Sequence, residues 1–588
     1  MNSLFALILA IVWSIIIYRT YGRHVDKKIV QSDPDKTTPA TMYMDGVDFM
    51  PTSKNVLFGF QFKSICGLGP IVGAIIAVHW GWLPAMLYLL LGVAFLGWIH
   101  DYTSAQVSIR KEGMSLGGMS YTLISPRGRT LVSIFIYFNL MFGFGAFALF
   151  IAATLGKPSA PFGILVWIAM GLLFGQMIYT WKMPIITATL ITVIATFIGI
   201  FVFSGWGPIE GFFKWVNGGD PSPVLFGTIT QSKFIWVLFV LVFCYFGATL
   251  PIWRWAQPIN YLGFWIVIIA MLGTGIGILI GHPSFGNFPA YTGFMWAGKP
   301  LWPLMFVTIM CGAVSGWHSL VSSSGTARMI EKETDTLPVA GGSMFLEMIM
   351  GMIALIIAVS AFGSFEGYAE AFKTGKGFVF VKGMSNFLGN IGVPESLAMT
   401  YGNVVFAVIG FTLIHLGVRF MRLYGSDVLG EFWPAFKNIH FSAIFSIAIF
   451  AVFCFTGVLT ALWMLGGAFN QMLAAMALLI CTCWLASERR NYNYTLWPSV
   501  FLGITTICAA LVISYKGFVH FFTTKDIPVD RAIGDWVTGV IAVLLVILAI
   551  ILSKDGVASI ARFVKEGGAE AAAPPTEPST PSAGGGTS

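Results

Sequence analysis

Ionisable residues stand inside four of the long apolar runs of this sequence, where a charge must be paired or hydrated. They are Lys63, the adjacent pair His100-Asp101, His318 and Glu347. Carboxylates and imidazoles that share a buried site can hold and pass a proton, because burial favours the neutral carboxyl group and histidine titrates near neutral pH. We therefore predict a proton-handling role for His100, Asp101, His318 and Glu347, which lie at similar depth if each run is helical.

Lys63 precedes a segment that should interrupt its helix. The sequence Cys66-Gly67-Leu68-Gly69-Pro70 combines two glycines with a proline, which removes a helix hydrogen bond. Near such a break, Lys63 and a positive helix end can bind a substrate carboxylate. The alternative is an ion pair of Lys63 with Asp101 or Glu347 that only fixes helix packing.

A second interruption is predicted at Gly312–Gly325, which contains His318 and several serines. Ser315, Ser319 and Ser322 follow the spacing i, i+4, i+7, so they share one helix face if the helix is unbroken there, and they can contact a substrate or satisfy freed carbonyls. The adjacent amides Asn470-Gln471 suggest a bound polar group, although hydrogen bonding between helices is an equal alternative. The predicted substrate-contacting residues are Lys63, Gly67, Gly69, Pro70, Ser315, His318, Ser319, Ser322, Asn470 and Gln471.

The elements that carry these residues are predicted to be membrane-spanning helices. Hydrophobic residues make up 57% of the chain and charged residues only 10%, too few to cover a soluble protein of this length. The apolar runs are about 20 residues long, which is the length of a spanning helix. We predict an all-α polytopic membrane protein with about fifteen transmembrane helices, near 2–18, 55–78, 82–109, 130–153, 161–179, 184–204, 232–251, 261–281, 302–324, 341–362, 402–421, 441–457, 459–485, 495–515 and 534–553.

Basic residues predict the orientation of these helices, because lysine and arginine concentrate in cytoplasmic loops. The bias favours an external N-terminus and an internal C-terminus. The second and ninth spans, which carry the two interruptions, then run in opposite directions, as in an inverted-topology repeat. The predicted parts are a first transmembrane helix at 1–18, a cytoplasmic loop at 19–54, a first repeat with following helices at 55–281, an inverted second repeat with following helices at 302–553, and a disordered cytoplasmic tail at 567–588.

Several functional classes are disfavoured by what the sequence lacks. It has neither a Walker A loop nor a His-Glu-x-x-His motif, and its loops leave no room for a catalytic domain, so we expect no enzyme and no cofactor. The coupling ion is expected to be a proton, with sodium as an alternative. The seven cysteines all lie in apolar runs and are interpreted as buried hydrophobes, so no metal site is predicted.

Several short motifs resemble the carbon starvation protein A (CstA) family over nearly the whole chain, in the same order. The motifs are Tyr21-Gly22-Arg23, Thr38-Pro39-Ala40, Asp45-Gly46-Val47-Asp48, Pro51-Thr52, Leu57-Phe58-Gly59, Gly67-Leu68-Gly69-Pro70, His100-Asp101, Gly312–Gly325 and Asn470-Gln471. The resemblance implies a transporter of the bacterial or archaeal inner membrane, in the amino acid–polyamine–organocation superfamily, with a LeuT-like core. One departure is Phe60-Gln61, where the family often has a histidine pair.

Together these features predict a secondary active transporter. The resemblance implies import of a small carboxylate such as pyruvate by proton symport, linked to carbon starvation, with uptake of di- and tripeptides as the alternative. A channel or a membrane sensor is less favoured, because the sequence contains no repeated polar ring and no signalling domain. The expected partners are the substrate and the lipid bilayer, and no nucleic acid; the oligomeric state stays open.

Overall fold

The computed structural model describes residues 1–227, 229–286, 288–456, 463–523 and 529–566, so the predicted tail 567–588 lies outside the described residues. Within them the chain is predominantly helical. Its longer apolar helices are α1 Ser3–Val30, α2 Lys54–Ile65, α3 Leu68–Trp80, α4 Trp82–Arg110, α5 Pro126–Leu155, α6 Pro161–Thr180, α7 Ile185–Phe203, α8 Gln231–Thr249, α9 Ala256–Gly281, α10 Leu301–Arg328, α11 Glu333–Ser360, α12 Glu395–Leu429, α13 Ile439–Thr456, α14 Trp463–Ser487, α15 Asn493–Thr523 and α16 Val529–Glu566.

Shorter elements lie in the connections between these helices. Five short helices span Pro39–Met42, Leu116–Leu123, Gly207–Val216, Phe365–Thr374 and Lys376–Gly389. Two antiparallel hairpins pair Val224–Phe226 with Ile229–Thr230 and Met295–Trp296 with Lys299–Pro300.

The helices agree with the predicted class of an all-α polytopic membrane protein. By length and composition, 13 helices among the described residues can cross a membrane, and α2 and α3 together, bent by 45° at their break, would make 14. The remaining predicted span coincides with the shorter apolar helix α13. Every predicted span thus coincides with a described helix or with the α2–α3 pair, while the count of fifteen spans stays a prediction.

The first helix is longer than the sequence analysis expected. It continues beyond residue 18 to Val30, so part of the predicted loop 19–54 is helical. The reason is an amphipathic pattern: Gly22, Val25 and Ile29 are buried at helical spacing, whereas Arg23 is exposed. The polar composition of this stretch concealed that buried face.

The centre of the molecule is formed by helices that have almost no exposed surface. α12 and α14 are buried along nearly their whole apolar lengths, and α10 and α11 are mostly buried. By contrast, α7 exposes Leu190, Ile194 and Ile198 on one face, the distribution expected of a helix at the lipid boundary. The polar residues singled out in α10, α11 and α14 therefore lie in the protein interior.

Arg419 of α12 ties three elements together near one end of the helices. Its guanidinium group donates hydrogen bonds to the carbonyls of Leu250 at 2.8 Å and Gly247 at 3.2 Å, where α8 ends. It also forms an ion pair with Asp48, in the connection between α1 and α2. Unpaired carbonyls at a helix end need donors, so Arg419 both terminates α8 and fixes the connection.

We expect this ion pair to make stability depend on acid. Burial alone would raise the pKa of Asp48, but the charge and hydrogen bond of Arg419, with Arg422 and Arg328 nearby, hold the pKa below its ordinary value. A carboxyl group with a depressed pKa stabilises the fold above its unfolded pKa, and this contribution is lost as pH falls through the folded pKa. The temperature of the unfolding midpoint should therefore decrease as the pH falls below about 4, the ordinary pKa of an aspartate.

The variant Asp48→Asn should unfold at lower temperature at neutral pH and show a weaker dependence on pH across this window. Asp35→Asn, at an exposed position of the same connection, is the matched control and should behave like the wild type. Equal acid sensitivity of the Asp48→Asn variant and the wild type would contradict the assignment.

Candidate functional site

The two predicted interruptions meet in the interior. The first lies at Cys66-Gly67, between α2 and α3, and the second separates the 3₁₀ turn Met310–Gly312 from the helix that begins at Gly316 in α10. A Cβ atom on Gly69 would lie 2.5 Å from the Cβ and Sγ atoms of Cys311. Only glycine at position 69 therefore lets the start of α3 approach α10 this closely.

Side chains satisfy several of the backbone groups that the interruptions release. The ammonium group of Lys63 donates to the Cys66 carbonyl at 2.6 Å, which caps the end of α2. The backbone N–H of Trp317 donates to Oδ1 of Asn470 at 2.7 Å, and its indole donates to the Ser64 carbonyl, also at 2.7 Å. Unpaired groups at this depth are costly, so Lys63, Asn470 and Trp317 make the two interruptions tolerable.

The position of Lys63 bears on its two interpretations. Among the ion pairs of the described residues, none joins Lys63 to Asp101 or Glu347. Lys63 instead caps the end of α2, next to the predicted substrate segment. Whether Lys63 binds substrate or only stabilises the helix packing stays a prediction.

The other four predicted ionisable residues form one buried chain of contacts. Asp101 lies between two imidazoles: its Oδ1 is 2.8 Å from Nδ1 of His100, and its Oδ2 is 3.0 Å from Nδ1 of His318. On the far side of the second ring, Nε2 of His318 is 3.1 Å from Oε2 of Glu347. All four side chains are 0% exposed. His318 therefore connects two carboxyl groups, with a different ring nitrogen facing each.

This arrangement allows proton transfer through a histidine once the contact between Nε2 of His318 and Glu347 takes up hydrogen-bond geometry. If the Nδ1–H group donates to Asp101, the lone pair of Nε2 faces Glu347, and the ring can accept a proton on one side and release one on the other. α4 supplies His100 and Asp101, α10 supplies His318, and α11 supplies Glu347. Proton movement along this chain would therefore depend on the relative positions of three helices.

The predicted substrate-contacting serines fall into two groups. Ser315, inside the interruption of α10, accepts from Nδ2 of Asn470 at 2.9 Å, and Ser322 accepts from Nε2 of Gln61 at 3.0 Å. Ser319 donates at 2.7 Å to the carbonyl of Gly316 within its own helix. The structure thus brings Ser315 and Ser322 into contacts between helices.

The accessibility of the predicted substrate residues is uneven. Gly67, Pro70 and Gln471 are buried, whereas Gly69 and Asn470 are half-buried. Both polar atoms of the Gln471 amide are buried and have no hydrogen-bond partner among the described residues. A buried amide without partners is rare in a folded protein, so Gln471 remains available for a further polar contact.

Sequence analysis missed two members of this site. Cys311 was interpreted as a buried hydrophobe, but it lies beside His318 and Glu347, and its spacing of seven residues from His318 was the available signal. Gln61 was noted only as a departure from the family pattern. In the structure it is buried, donates to Ser322, and accepts a hydrogen bond from Thr326.

The fold and the site together define the class. Interrupted helices that meet over buried ionisable residues are the arrangement used by secondary transporters, which expose backbone and charged groups only where a cavity can form. The chain is a multi-pass membrane protein of this class.

The chain belongs to the family described as carbon starvation protein CstA, whose model matches residues 2–366 and 364–509. The peptide transporter CstA of Bacillus subtilis is 27% identical over 616 residues, covering 96% of this chain and 98% of that protein. The pyruvate/proton symporter BtsT of Escherichia coli is 26% identical over 594 residues, covering 86% of this chain and 81% of that protein. Both relatives carry the names of transporters.

Among solved structures, a manganese transporter variant of Eremococcus coleocola aligns with 88% of this chain and 99% of its own. The two are 12% identical, with a TM-score of 0.43. A similarity of this size is too low to support a conclusion about either fold or function.

We expect Asn470→Ala to destabilise the protein, because it removes the cap of Trp317 and the donor to Ser315. Loss of two hydrogen bonds that leaves a buried N–H unpaired costs about 1–3 kcal/mol, which should appear as a lower midpoint of thermal unfolding in detergent.

The control is Asn386→Ala, at an exposed asparagine whose amide donates to the Ala361 carbonyl. An equal loss of stability in the Asn470 and Asn386 alanine variants would show that Asn470 has no special role at the interruption.

Proposed function

We propose that this protein imports a small nutrient carboxylate, with pyruvate as the lead candidate, by proton symport in response to carbon starvation. The observation that carries the proposal is the buried contact chain of Asp101, His318 and Glu347 beside the two meeting interruptions. The name of the Escherichia coli relative, a pyruvate/proton symporter, supports the choice of substrate and coupling ion.

The coupling follows from the cost of charge at this depth. A net charge inside the membrane costs several kcal/mol unless it is paired or hydrated. With both carboxyl groups ionised and His318 protonated, the three groups carry one net negative charge, and the ammonium group of Lys63 carries one positive charge. A substrate carboxylate neutralises Lys63, and one further proton then makes the three groups neutral. The neutral cluster is favoured when the site is closed to water, so a proton taken up on one side accompanies the conformational change.

The substrate site is proposed at the interruptions themselves. Gly67, Gly69 and Pro70 expose backbone at the start of α3, where the positive helix end favours a carboxylate. Lys63 supplies a cation if it leaves the Cys66 carbonyl. Polar contacts are proposed to come from Ser315, His318, Ser319, Ser322, Asn470 and Gln471.

Uptake of di- or tripeptides is the second candidate. It is favoured by the names of the Bacillus subtilis and Escherichia coli relatives, both called peptide transporter CstA. A peptide offers the same carboxylate to Lys63 and adds an ammonium group that Asp101 or Glu347 can pair with.

We further propose an external N-terminus, an internal C-terminus and a LeuT-like core in which 55–281 and 302–553 carry inverted repeats. The basic residues that support this orientation include Arg110, Arg127 and Arg328. A membrane-impermeant biotin reagent should label a cysteine introduced at the exposed Lys36 only after the cells are opened, and one introduced at the exposed Tyr291 in intact cells. The reverse labelling pattern would contradict the orientation.

Transport in proteoliposomes tests the function. An imposed gradient of one pH unit, alkaline inside, should drive about tenfold accumulation of labelled pyruvate, since a tenfold ratio corresponds to about 1.4 kcal/mol. Pyruvate with one proton carries no net charge, so a membrane potential alone should drive no accumulation. Peptide import instead predicts gradient-driven uptake of labelled dipeptide.

Asp101→Asn and Glu347→Gln should abolish gradient-driven accumulation while preserving exchange of labelled for unlabelled substrate, because they remove the proton acceptor and keep the side-chain volume. Glu395→Gln, at an exposed glutamate that pairs with Lys382, is the matched control. Accumulation that survives in both buried variants would exclude the proton route, and accumulation of neither substrate by the wild type would exclude both candidate functions.

A further inference from the structure

Three different metal-binding groups converge on one side of the buried chain. The thiol of Cys311, the imidazole of His318 and the carboxyl group of Glu347 each present a ligand atom within 4.8 Å of the other two. Cys311 is 9% exposed, and the other two side chains are fully buried. We call these three residues the Cys311–His318–Glu347 trio.

Two members of the trio have polar atoms without hydrogen-bond partners, whereas the thiol of Cys311 donates to Ser315 at 3.5 Å. Nε2 of His318 and both carboxyl oxygens of Glu347 have none among the described residues, although Nε2 and Oε2 are 3.1 Å apart. The contact is therefore close without the geometry of a hydrogen bond. Buried polar atoms without partners are costly and call for a ligand. A cation placed between these atoms would satisfy them together.

The donor set indicates which cation. Thiolate, imidazole and carboxylate together are ligands of Zn²⁺ and similar transition ions, whereas Mg²⁺ and Ca²⁺ prefer oxygen alone. Ligand atoms about 2.0–2.3 Å from a tetrahedral ion lie about 3.4 Å from one another. The separation of 3.1 Å between His318 and Glu347 is close to this value, and the thiol lies within 4.8 Å of both ligand atoms.

The surroundings of His318 already match those of a metal ligand. A histidine that binds a metal usually donates its other ring N–H to a carboxylate, which fixes the tautomer and the ring orientation. Nδ1 of His318 lies 3.0 Å from Oδ2 of Asp101, and that carboxyl group is held in turn by His100 at 2.8 Å. The Nε2 lone pair of His318 is thereby directed towards the other two residues of the trio.

We propose that Cys311, His318 and Glu347 bind one Zn²⁺ or a similar divalent transition ion, with the fourth position left to water or to a substrate oxygen. The bound ion occupies Nε2 of His318 and separates it from Glu347. It therefore inhibits proton-driven uptake. This inhibition rests on the proposed function, whereas the binding of the metal is independent of it.

Direct binding tests the site. The purified full-length protein, dialysed against Zn²⁺ and then metal-free buffer, should retain one ion per chain. X-ray absorption should show one sulfur at about 2.3 Å and nitrogen or oxygen at about 2.0–2.2 Å, and Co²⁺ should give a thiolate charge-transfer band. These measurements need no variant, so misfolding cannot imitate a negative result. Absence of retained metal, or a coordination shell without sulfur, would overturn the proposal.

Variants locate the site. Cys311→Ala should abolish the Co²⁺ thiolate band and weaken Zn²⁺ binding at least tenfold. Cys244→Ala removes another buried thiol, in α8, and should change neither. An unchanged thiolate band in the Cys311→Ala variant would place the metal elsewhere and overturn the assignment.

Inhibition separates the two proposals. Zn²⁺ should inhibit pyruvate uptake by wild-type proteoliposomes, and the half-inhibitory concentration should rise at least tenfold in Cys311→Ala, each variant being compared with its own uninhibited rate. Binding without inhibition would leave the metal site intact and contradict the proton role of His318. Inhibition without binding at Cys311 would overturn the site alone.

Discussion

Backbone groups released at a helix interruption have no water to satisfy them inside a membrane, and this constraint organises the interior of the protein. Lys63 donates a hydrogen bond to a carbonyl at the end of α2. Asn470 accepts one from the backbone N–H of Trp317, at the start of the second half of α10. The indole of Trp317 then links the two interruptions by donating to Ser64. Polar residues inside these apolar helices therefore stabilise the interruptions.

The ionisable residues depend on the same arrangement. α4, α10 and α11 each contribute to the chain of His100, Asp101, His318 and Glu347, and no one helix could satisfy these groups alone. The close approach of Gly69 to Cys311 sets where α10 lies, and hence where His318 meets its two carboxyl groups.

Sequence determined the helices well because hydropathy and span length are properties of single segments. It failed at residues 19–30, where polar composition concealed the buried face of Gly22, Val25 and Ile29. It also proposed that Lys63, Asp101, His318 and Glu347 could meet, but not that Lys63 would cap α2 while His318 joined the two carboxyl groups. These contacts of Lys63 and His318 depend on which helices pack against one another. Hydropathy does not specify that packing. Cys311 escaped notice because a cysteine in an apolar helix is usually a small hydrophobe.

The contact between α10 and α14 has an energetic consequence for the working cycle. A Cβ atom on Gly316 would lie 2.2 Å from the Asn470 carbonyl oxygen, so the two helices touch by backbone as well as through the Asn470 side chain. If α10 moves while α14 stays, both Asn470 hydrogen bonds must break, at roughly 1–3 kcal/mol together. A gradient of one pH unit supplies about 1.4 kcal/mol per proton. Under the proposed proton symport, the cost of releasing Asn470 and the free energy supplied by one proton would therefore be of similar size.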